Sequence, residues 1–334
     1  MIDQDQIKQS LEAVWVPGVN RSIVGLNMVR EIDLSDGRVD VTLASTGLSE
    51  AAQKWVSQKT REAINKLPGV EDVIVDYTSV KANEINQVDQ MIAVMSGKGG
   101  VGKSLISALI SIALRRKGYE IGILDADITG PSIPKMFGVK GPPSGNEDGI
   151  LPVLTKSGIE MMSINLLLPK EDDAVIWRGP LIGNTIKQFG EDVVWGKLDY
   201  LIIDLPPGTA DAPLTVMQSL PVSGVVVVFT PQDLTAMVVR KAIKMAQQMG
   251  KSVLGVVENM SYLYVPEIDK RIEIFGKSRG EEMAHASKAP LLGQLPIDPG
   301  LARLCDEGNI ERYGGEIMTA FGESLIKALP ADAK

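Results

Sequence analysis

The sequence predicts an α/β protein, a parallel sheet covered by helices on both faces and preceded by a small α+β domain. Three observations predict it. From residue 91 onward, continuous apolar runs at 92–95, 121–124, 158–164, 200–203, 225–229, 253–257 and 291–295 alternate with helix-like stretches. Apolar runs without polar alternation are the mark of strands buried on both faces. The informative polar residues fall just after these runs, at 96–104, 125–131, 204–211, 230–233 and 258–261, where parallel sheets present their ligand sites.

The first eighty residues have an order of their own. Residues 4–13 read as a short helix, and 23–32 and 38–43 as paired strands around Ser35-Asp-Gly37. Residues 49–67 carry Ala52, Val56, Ala63, Ile64 and Leu67 near helical spacing, and Pro68-Gly69 ends that helix before a strand at 70–75. Residues 1–80 therefore form a compact α+β domain without a visible catalytic constellation. Residues 81–90 are polar and lack apolar periodicity, which predicts a linker. Residues 91–334 form the larger domain. Its last segment, 316–329, places Ile317, Phe321, Leu325 and Leu329 on one helical face, while Glu316, Glu323 and Lys327 mix both signs on the other. That polar face suits a helix packed on a core better than one lying on a membrane.

Composition narrows the function classes. Aromatics are only 4% of the 334 residues, so the core rests on Val, Ile, Leu, Ala and Met. The net charge of −8, with lysines and arginines scattered among acids, argues against nucleic acid as the main partner. No apolar run approaches the ~20 residues that span a bilayer, so no membrane is expected. The polar, acidic start is unlike a secretion signal, and the expected compartment is the cytoplasm. Cys305 is the only cysteine and His285 the only histidine, which rules out an intrachain disulfide and a Cys/His zinc site.

The most specific motif is Met95-Ser-Gly-Lys-Gly-Gly-Val-Gly-Lys-Ser104, which follows an apolar run and opens onto an apolar helix. It contains G-x-x-x-x-G-K-S in the strand–loop–helix context that makes it a phosphate loop. Backbone amides of Gly97, Lys98, Gly99, Gly100, Val101 and Gly102 curl around phosphate oxygens, Lys103 reaches the β- and γ-phosphates, and Ser104 ligates magnesium. A plain glycine-rich turn would need neither two lysines nor the serine. The larger domain thus reads as a parallel-sheet P-loop NTPase domain that takes ATP and Mg2+.

Three further groups complete the expected site. Asp204 ends the run Leu201-Ile-Ile203 and precedes Leu205-Pro-Pro-Gly208, which suits magnesium, partly through water, with the Gly208 amide near the γ-phosphate and Asp211 relaying a change. Asp127, in Asp125-Ala-Asp127, is the candidate to hold the attacking water and to contribute to the metal site, and Asp125 supports the loop or metal. Turn chemistry is the competing account of both loops. Lys98 has no role in the ordinary phosphate loop. It is either a solvated loop lysine or a cation that crosses a dimer interface to the partner's nucleotide, a device worth roughly 10³–10⁵ in rate.

Gly-Lys-Gly-Gly-Val-Gly-Lys-Ser104 resembles the deviant phosphate loop of the MinD, ParA and nitrogenase iron-protein class. More narrowly, Asp125-Ala-Asp-Ile-Thr-Gly-Pro-Ser-Ile-Pro134, Ile176-Trp-Arg-Gly-Pro180, Trp195-Gly-Lys-Leu-Asp-Tyr-Leu-Ile-Ile-Asp-Leu-Pro-Pro-Gly-Thr209 and Glu258-Asn-Met-Ser-Tyr262 resemble the Mrp/ApbC-type iron–sulfur cluster carrier ATPases. Residues 1–80 are similar to the small metal–sulfur cluster assembly domain often fused ahead of that ATPase. The resemblance implies a slow, magnesium-dependent, homodimeric ATPase that acts in iron–sulfur cluster assembly or transfer. Within it Lys98 acts in trans, Asn259 reads adenine, and apo-proteins or assembly proteins are partners.

One departure matters. Family carriers place Cys-x-x-Cys shortly after Glu-Asn-Met-Ser-Tyr, and two subunits share a four-iron cluster there. Here the stretch is Tyr262-Leu-Tyr-Val-Pro-Glu-Ile-Asp269, and Val265 and Ile268 stand at the thiolate positions. The small domain has Ser45-Thr-Gly-Leu-Ser49 where its cysteine is usual, and Ala210 replaces the last glycine of Gly-Thr-Gly-Asp. Clusters take thiolates, so only Cys305 is available, as an assisted ligand or as an inert buried thiol. Two accounts follow: a carrier-family ATPase serving iron–sulfur metabolism, or an ATP-gated dimer switch that binds protein partners and carries no cluster. A metabolic enzyme such as a dethiobiotin synthetase relative would need a further substrate-binding constellation, which the sequence lacks.

Overall fold

A computed structural model describes residues 2–127, 130, 132–168, 179–209 and 211–329. The chain forms two compact units. The first comprises Met1–Val88, Pro142–Leu154 and Gln188–Leu198, and the second Asp89–Gly141, Thr155–Lys187 and Asp199–Lys334.

In the first unit helix α1 is Gln4–Leu11, strand β1 Val29–Ser35, β2 Arg38–Ala44, helix α2 Glu50–Ile64 and β3 Asp72–Thr78. The strands form one sheet in the order β1-β2-β3, with β1 antiparallel and β3 parallel to β2. Each helix starts where the sequence offers a cap. Asp3 accepts from the Gln6 amide while the Gln6 side chain accepts from the Asp3 amide, and Ser49 caps α2 through the Ala52 amide. The first strand is shorter than 23–32 because the chain turns at Asn27, whose φ is +55°. Two segments distant in sequence complete this core, where Leu151 and Val194 are buried among Leu26, Leu43, Leu48 and Ile85.

Residues 81–90, expected as a linker, are ordered backbone. Ala82–Ile85 is helix α3 and Gln87–Ser96 is strand β4. The strand begins several residues before its apolar run because its first half alternates exposed and half-buried side chains, and only its second half is fully buried.

The second unit continues with α4 (Lys103–Arg116), β5 (Ile121–Asp125), α5 (Ile133–Phe137), β6 (Glu160–Ser163), α6 (Gly179–Glu191), β7 (Lys197–Asp204), α7 (Asp211–Ser219), β8 (Gly224–Phe229), α8 (Asp233–Gln248), β9 (Ser252–Glu258), α9 (Gly280–Ser287), β10 (Leu291–Gln294), α10 (Pro299–Asp306) and α11 (Glu316–Ala328). Its strands lie in the order β6-β5-β7-β4-β8-β9-β10, and the registered pairs are parallel. All seven apolar runs are strands of this sheet. The register brings their ends into one row: Ser163 opposite Asp125, Asp125 opposite Asp204, Val228 opposite Ser96, Phe229 opposite Glu258, and Glu258 opposite Gln294. That row carries the site.

Helix α4 is buried on nearly every face from Ile106 to Leu114, as its uninterrupted apolar sequence requires. Helix α11 buries Met318, Phe321 and Leu325, with Leu329 just beyond its end, and leaves Ile317 partly exposed. No helix among the described residues is long and apolar enough to cross a membrane.

Candidate functional site

The phosphate loop runs from the end of β4 to the start of α4. Gly100 and Gly102 have φ of +79° and +80°, in the left-handed region where a side chain is strained. Gly102 is also closed to a Cβ by its neighbour, since such an atom would lie 2.2 Å from Asn259 Nδ2. The loop is pinned at both ends. Ser96 Oγ donates to the Lys98 carbonyl at 2.9 Å, and Asn259 Nδ2 donates to the Val101 carbonyl at 2.9 Å.

Lys103, 5% exposed, points into the row of strand ends. Its Nζ lies 2.9 Å from Asp204 Oδ1 and 3.6 Å from Asp127 Oδ2. Asp204 is fully buried and accepts from Ser104 Oγ at 2.5 Å and from Ser107 Oγ at 2.7 Å. One buried carboxylate therefore gathers an ammonium and two hydroxyls, all from the first turns of α4. The set suits an incoming phosphate–metal complex. Ser104 and the two aspartates offer oxygen only, which is what a magnesium ion takes, and the Lys103 ammonium is held beside them.

Asp125, behind them, is fully buried and accepts from the Asp127 amide, the Ile133 amide and Ser163 Oγ. Burial pushes its carboxyl up to about 8, and the negative charges of Asp204 and Asp127 add to this against the pull of Lys103. Asp125 thus sits below the reaction face, holding the turn that presents Asp127, which is 8% exposed.

Of the expected site residues, Lys103, Ser104, Asp127 and Asp204 meet in one cluster. Lys98 stands at the loop entrance and donates to Gln232 Oε1 at 2.6 Å. Asn259, expected on the base, is 2% exposed and turned onto the loop backbone. The Gly208 amide donates to the Ser96 carbonyl at 3.1 Å, joining the Pro-Pro-Gly turn to the end of β4. Residues 176–178 and Ala210 lie outside the described residues, as does the side chain of Asp211.

Sequence reasoning missed Ser107 and Ser163, and it placed Gln232 and Glu258 among the polar residues at the strand ends without giving either a role. Ser107 was findable, because it lies one helical turn after Lys103 on the same face. Glu258 is fully buried and accepts from Ser261 Oγ, Ser278 Oγ, the Arg279 amide and Gln294 Nε2, tying the end of β9 to that of β10. Its partners are scattered along the chain, so only the fold reveals them.

The thiolate positions do not fit a cluster. Val265 and Ile268 lie in the strand–turn–strand segment formed by Leu263–Val265, Pro266–Ile268 and Lys270–Ile272, where Ile268 is 56% exposed. Cys305 lies on α10, and burial, with Asp306 adding to it, pushes its thiol up to about 11, away from the thiolate that binds metal. Among the described residues no group of three or more His, Cys, Asp or Glu is placed to hold a metal ion. His285 is an exposed residue of α9.

Comparison with known proteins shows the family and the fold. Residues 87–326 match the family described as NUBPL iron-transfer P-loop NTPase, and residues 4–76 match a family of iron-sulfur cluster assembly proteins. The chain is 39% identical over 321 residues to an iron-sulfur cluster carrier protein of Synechocystis, covering 92% of this chain and 91% of that one. It is 41% identical over 257 residues to the human cytosolic Fe-S cluster assembly factor NUBP2, covering 73% of this chain and 94% of the relative. A nucleotide-binding protein of Archaeoglobus fulgidus, solved in complex with ADP, superposes with a TM-score of 0.62 at 47% identity, over 68% of this chain and 90% of that one. The Pyrococcus furiosus cell division ATPase MinD, at 23% identity and a TM-score of 0.54 over 72% of this chain and 99% of that one, shares the fold.

Proposed function

Because the chain belongs to the iron–sulfur cluster carrier family of P-loop NTPases, we propose that it is a slow, magnesium-dependent ATPase working as a homodimer in cytoplasmic iron–sulfur cluster assembly or transfer. The observation that carries this reading is the convergence of Lys103, Ser104, Asp127 and Asp204 at one strand-end row beneath a glycine loop. When ATP enters, Lys103 exchanges Asp204 for the β- and γ-phosphates. Bound magnesium would neutralise phosphate charge, held by Ser104 directly and by Asp204 and Asp127 partly through water. Asp127, 3.6 Å from Lys103 Nζ, accepts a proton from the water aligned with the γ-phosphate. Lys98 acts across the dimer on the partner's nucleotide, where a cation meets the charge that develops in the transition state. Asn259 serves the nucleotide by fixing the loop through the Val101 carbonyl.

Iron–sulfur clusters are cargo for relatives of this kind, and this chain lacks the family's thiolates for it. The role proposed here is ATP-dependent engagement of apo-proteins or assembly partners, which also accommodates the ATP-gated switch. Val265 and Ile268 are the residues that favour that second reading.

Anaerobic reconstitution with iron and sulfide, together with phosphate release measured with and without magnesium, tests the proposal. The expected result is magnesium-dependent phosphate release and no stable four-iron chromophore, with wild type and Cys305→Ala alike. No phosphate release under any condition would refute the ATPase. A cluster that survives desalting in wild type and disappears in Cys305→Ala would restore a carrier role through that thiol.

A further inference from the structure

Lys98 is held at its backbone by the loop and at its tip by a single side chain. The loop holds its carbonyl through Ser96 Oγ, and its half-buried side chain reaches sideways to the next strand end. There Nζ donates to Gln232 Oε1 at 2.6 Å. Gln232 follows β8, which pairs with the strand that delivers the phosphate loop, and it is the residue that precedes the first turn of α8. Among the described residues its side chain makes no capping hydrogen bond to that helix. Residues favoured at such a position are Ser, Thr, Asp, Asn and Gly, whose short side chains satisfy the first amides. A glutamine there, turned onto a lysine, serves the lysine.

The geometry points to Gln232 as a positioning residue that retains Lys98 on its own subunit until a second copy of this chain, carrying nucleotide, draws it away. The inference rests on the proposed action of Lys98 across the homodimer. The chemistry of the acceptor sets the strength of retention. An amide oxygen gives the ammonium one charge-assisted hydrogen bond without an opposing charge. A carboxylate at the same place would add an ion pair, and an alanine would leave the ammonium to solvent. Glutamine lies between, strong enough to hold the lysine in the isolated subunit and weak enough to yield to a triphosphate. Nothing is bonded or broken covalently in this step; the ammonium changes acceptors.

Retention changes how readily dimers become active, so the readout is ATP hydrolysis by the full chain as a function of protein concentration. Gln232→Ala is expected to lower the concentration at half-maximal hydrolysis by about fivefold, the factor that one net hydrogen bond supplies. Gln232→Glu is expected to raise it. A role confined to the start of α8 would move both variants in the same direction, so a shared direction, or no shift in either, overturns the inference. Lys98→Ala is the companion measurement. It is expected to abolish hydrolysis while leaving binding of a fluorescent ATP analogue measurable. Full turnover in Lys98→Ala overturns the underlying reading of that lysine, whereas loss of turnover without opposite shifts at Gln232 overturns retention alone.

Discussion

At the scale of single residues, Asp125 exposes a trade between stability and function. It is fully buried, it keeps its proton up to about pH 8 in the fold, and it holds the turn that carries Asp127. In the unfolded chain the same carboxyl ionises near its ordinary value of about 4. Between these values the folded state binds more protons than the unfolded one, so stability falls as pH rises through that window. Asp125→Asn removes the titration and keeps one acceptor oxygen. Measured without nucleotide and with a chelator present, its melting temperature is expected to exceed wild type by a margin that widens from about pH 4 and levels off above about pH 8. A constant margin would show that the buried proton is not the cause. Asp125 was legible as a candidate because it ends an apolar run beside a second aspartate. Its burial below the reaction face was not legible, because that depends on strand order: Asp204 and Ser163 flank it across two neighbouring strands.

At the scale of elements, the junction of loop, helix and neighbouring strand end decides whether phosphate can be gripped. Gly102 begins α4 with a left-handed φ, and Asn259 fills the space a Cβ would take. Gly102→Ala therefore meets two costs. The first is ~1–2 kcal/mol for a side chain in the left-handed region, and the second is displacement of a buried amide from the Val101 carbonyl. The second cost depends on Asn259 and the first does not. In equilibrium titrations with ADP, Gly102→Ala is expected to lose at least tenfold in affinity, and adding Asn259→Ala is expected to recover part of that loss. If the double variant binds no better than the single one, steric exclusion by Asn259 is not part of the cost. The sequence made the phosphate loop legible because its residues are contiguous. Buried parallel strands were equally legible, since each consists of apolar residues without alternation. Short elements such as α5 and the 263–272 segment were not, because each spans too few residues to show a period. The polar first half of β4 was misread as a linker for a related reason: an exposed strand resembles a loop when only hydrophobicity is counted.

At the scale of the molecule, the first compact unit is interleaved in the chain. The sequence marks a boundary after residue 80, yet the unit takes in Pro142–Leu154 and Gln188–Leu198. These segments are bound by specific side chains as well as by packing. Asn146 Oδ1 accepts from the Gly47 amide and its Nδ2 donates to the Ser45 carbonyl, while Asn86 donates to the Val193 carbonyl and accepts from the Gly196 amide. Leu151 and Val194, 3% and 0% exposed, then close the core. Such contacts escape a linear reading because their partners are about a hundred residues apart. They also make a quantitative claim about how the unit folds. Removing most of a buried leucine costs about 2–5 kcal/mol, a large share of the stability of a small domain. Leu151→Ala in the full chain is expected to lower the urea midpoint of the first unit, followed through the buried Trp195, which this unit contains, with tryptophans 15, 55 and 177 replaced by phenylalanine to isolate the signal. A fragment of residues 1–88 lacks both later segments and is expected to give a broad, weakly cooperative melt by circular dichroism. A sharp transition in that fragment, at the temperature of the intact chain, would mean that the two inserted segments are passengers on a core already complete without them.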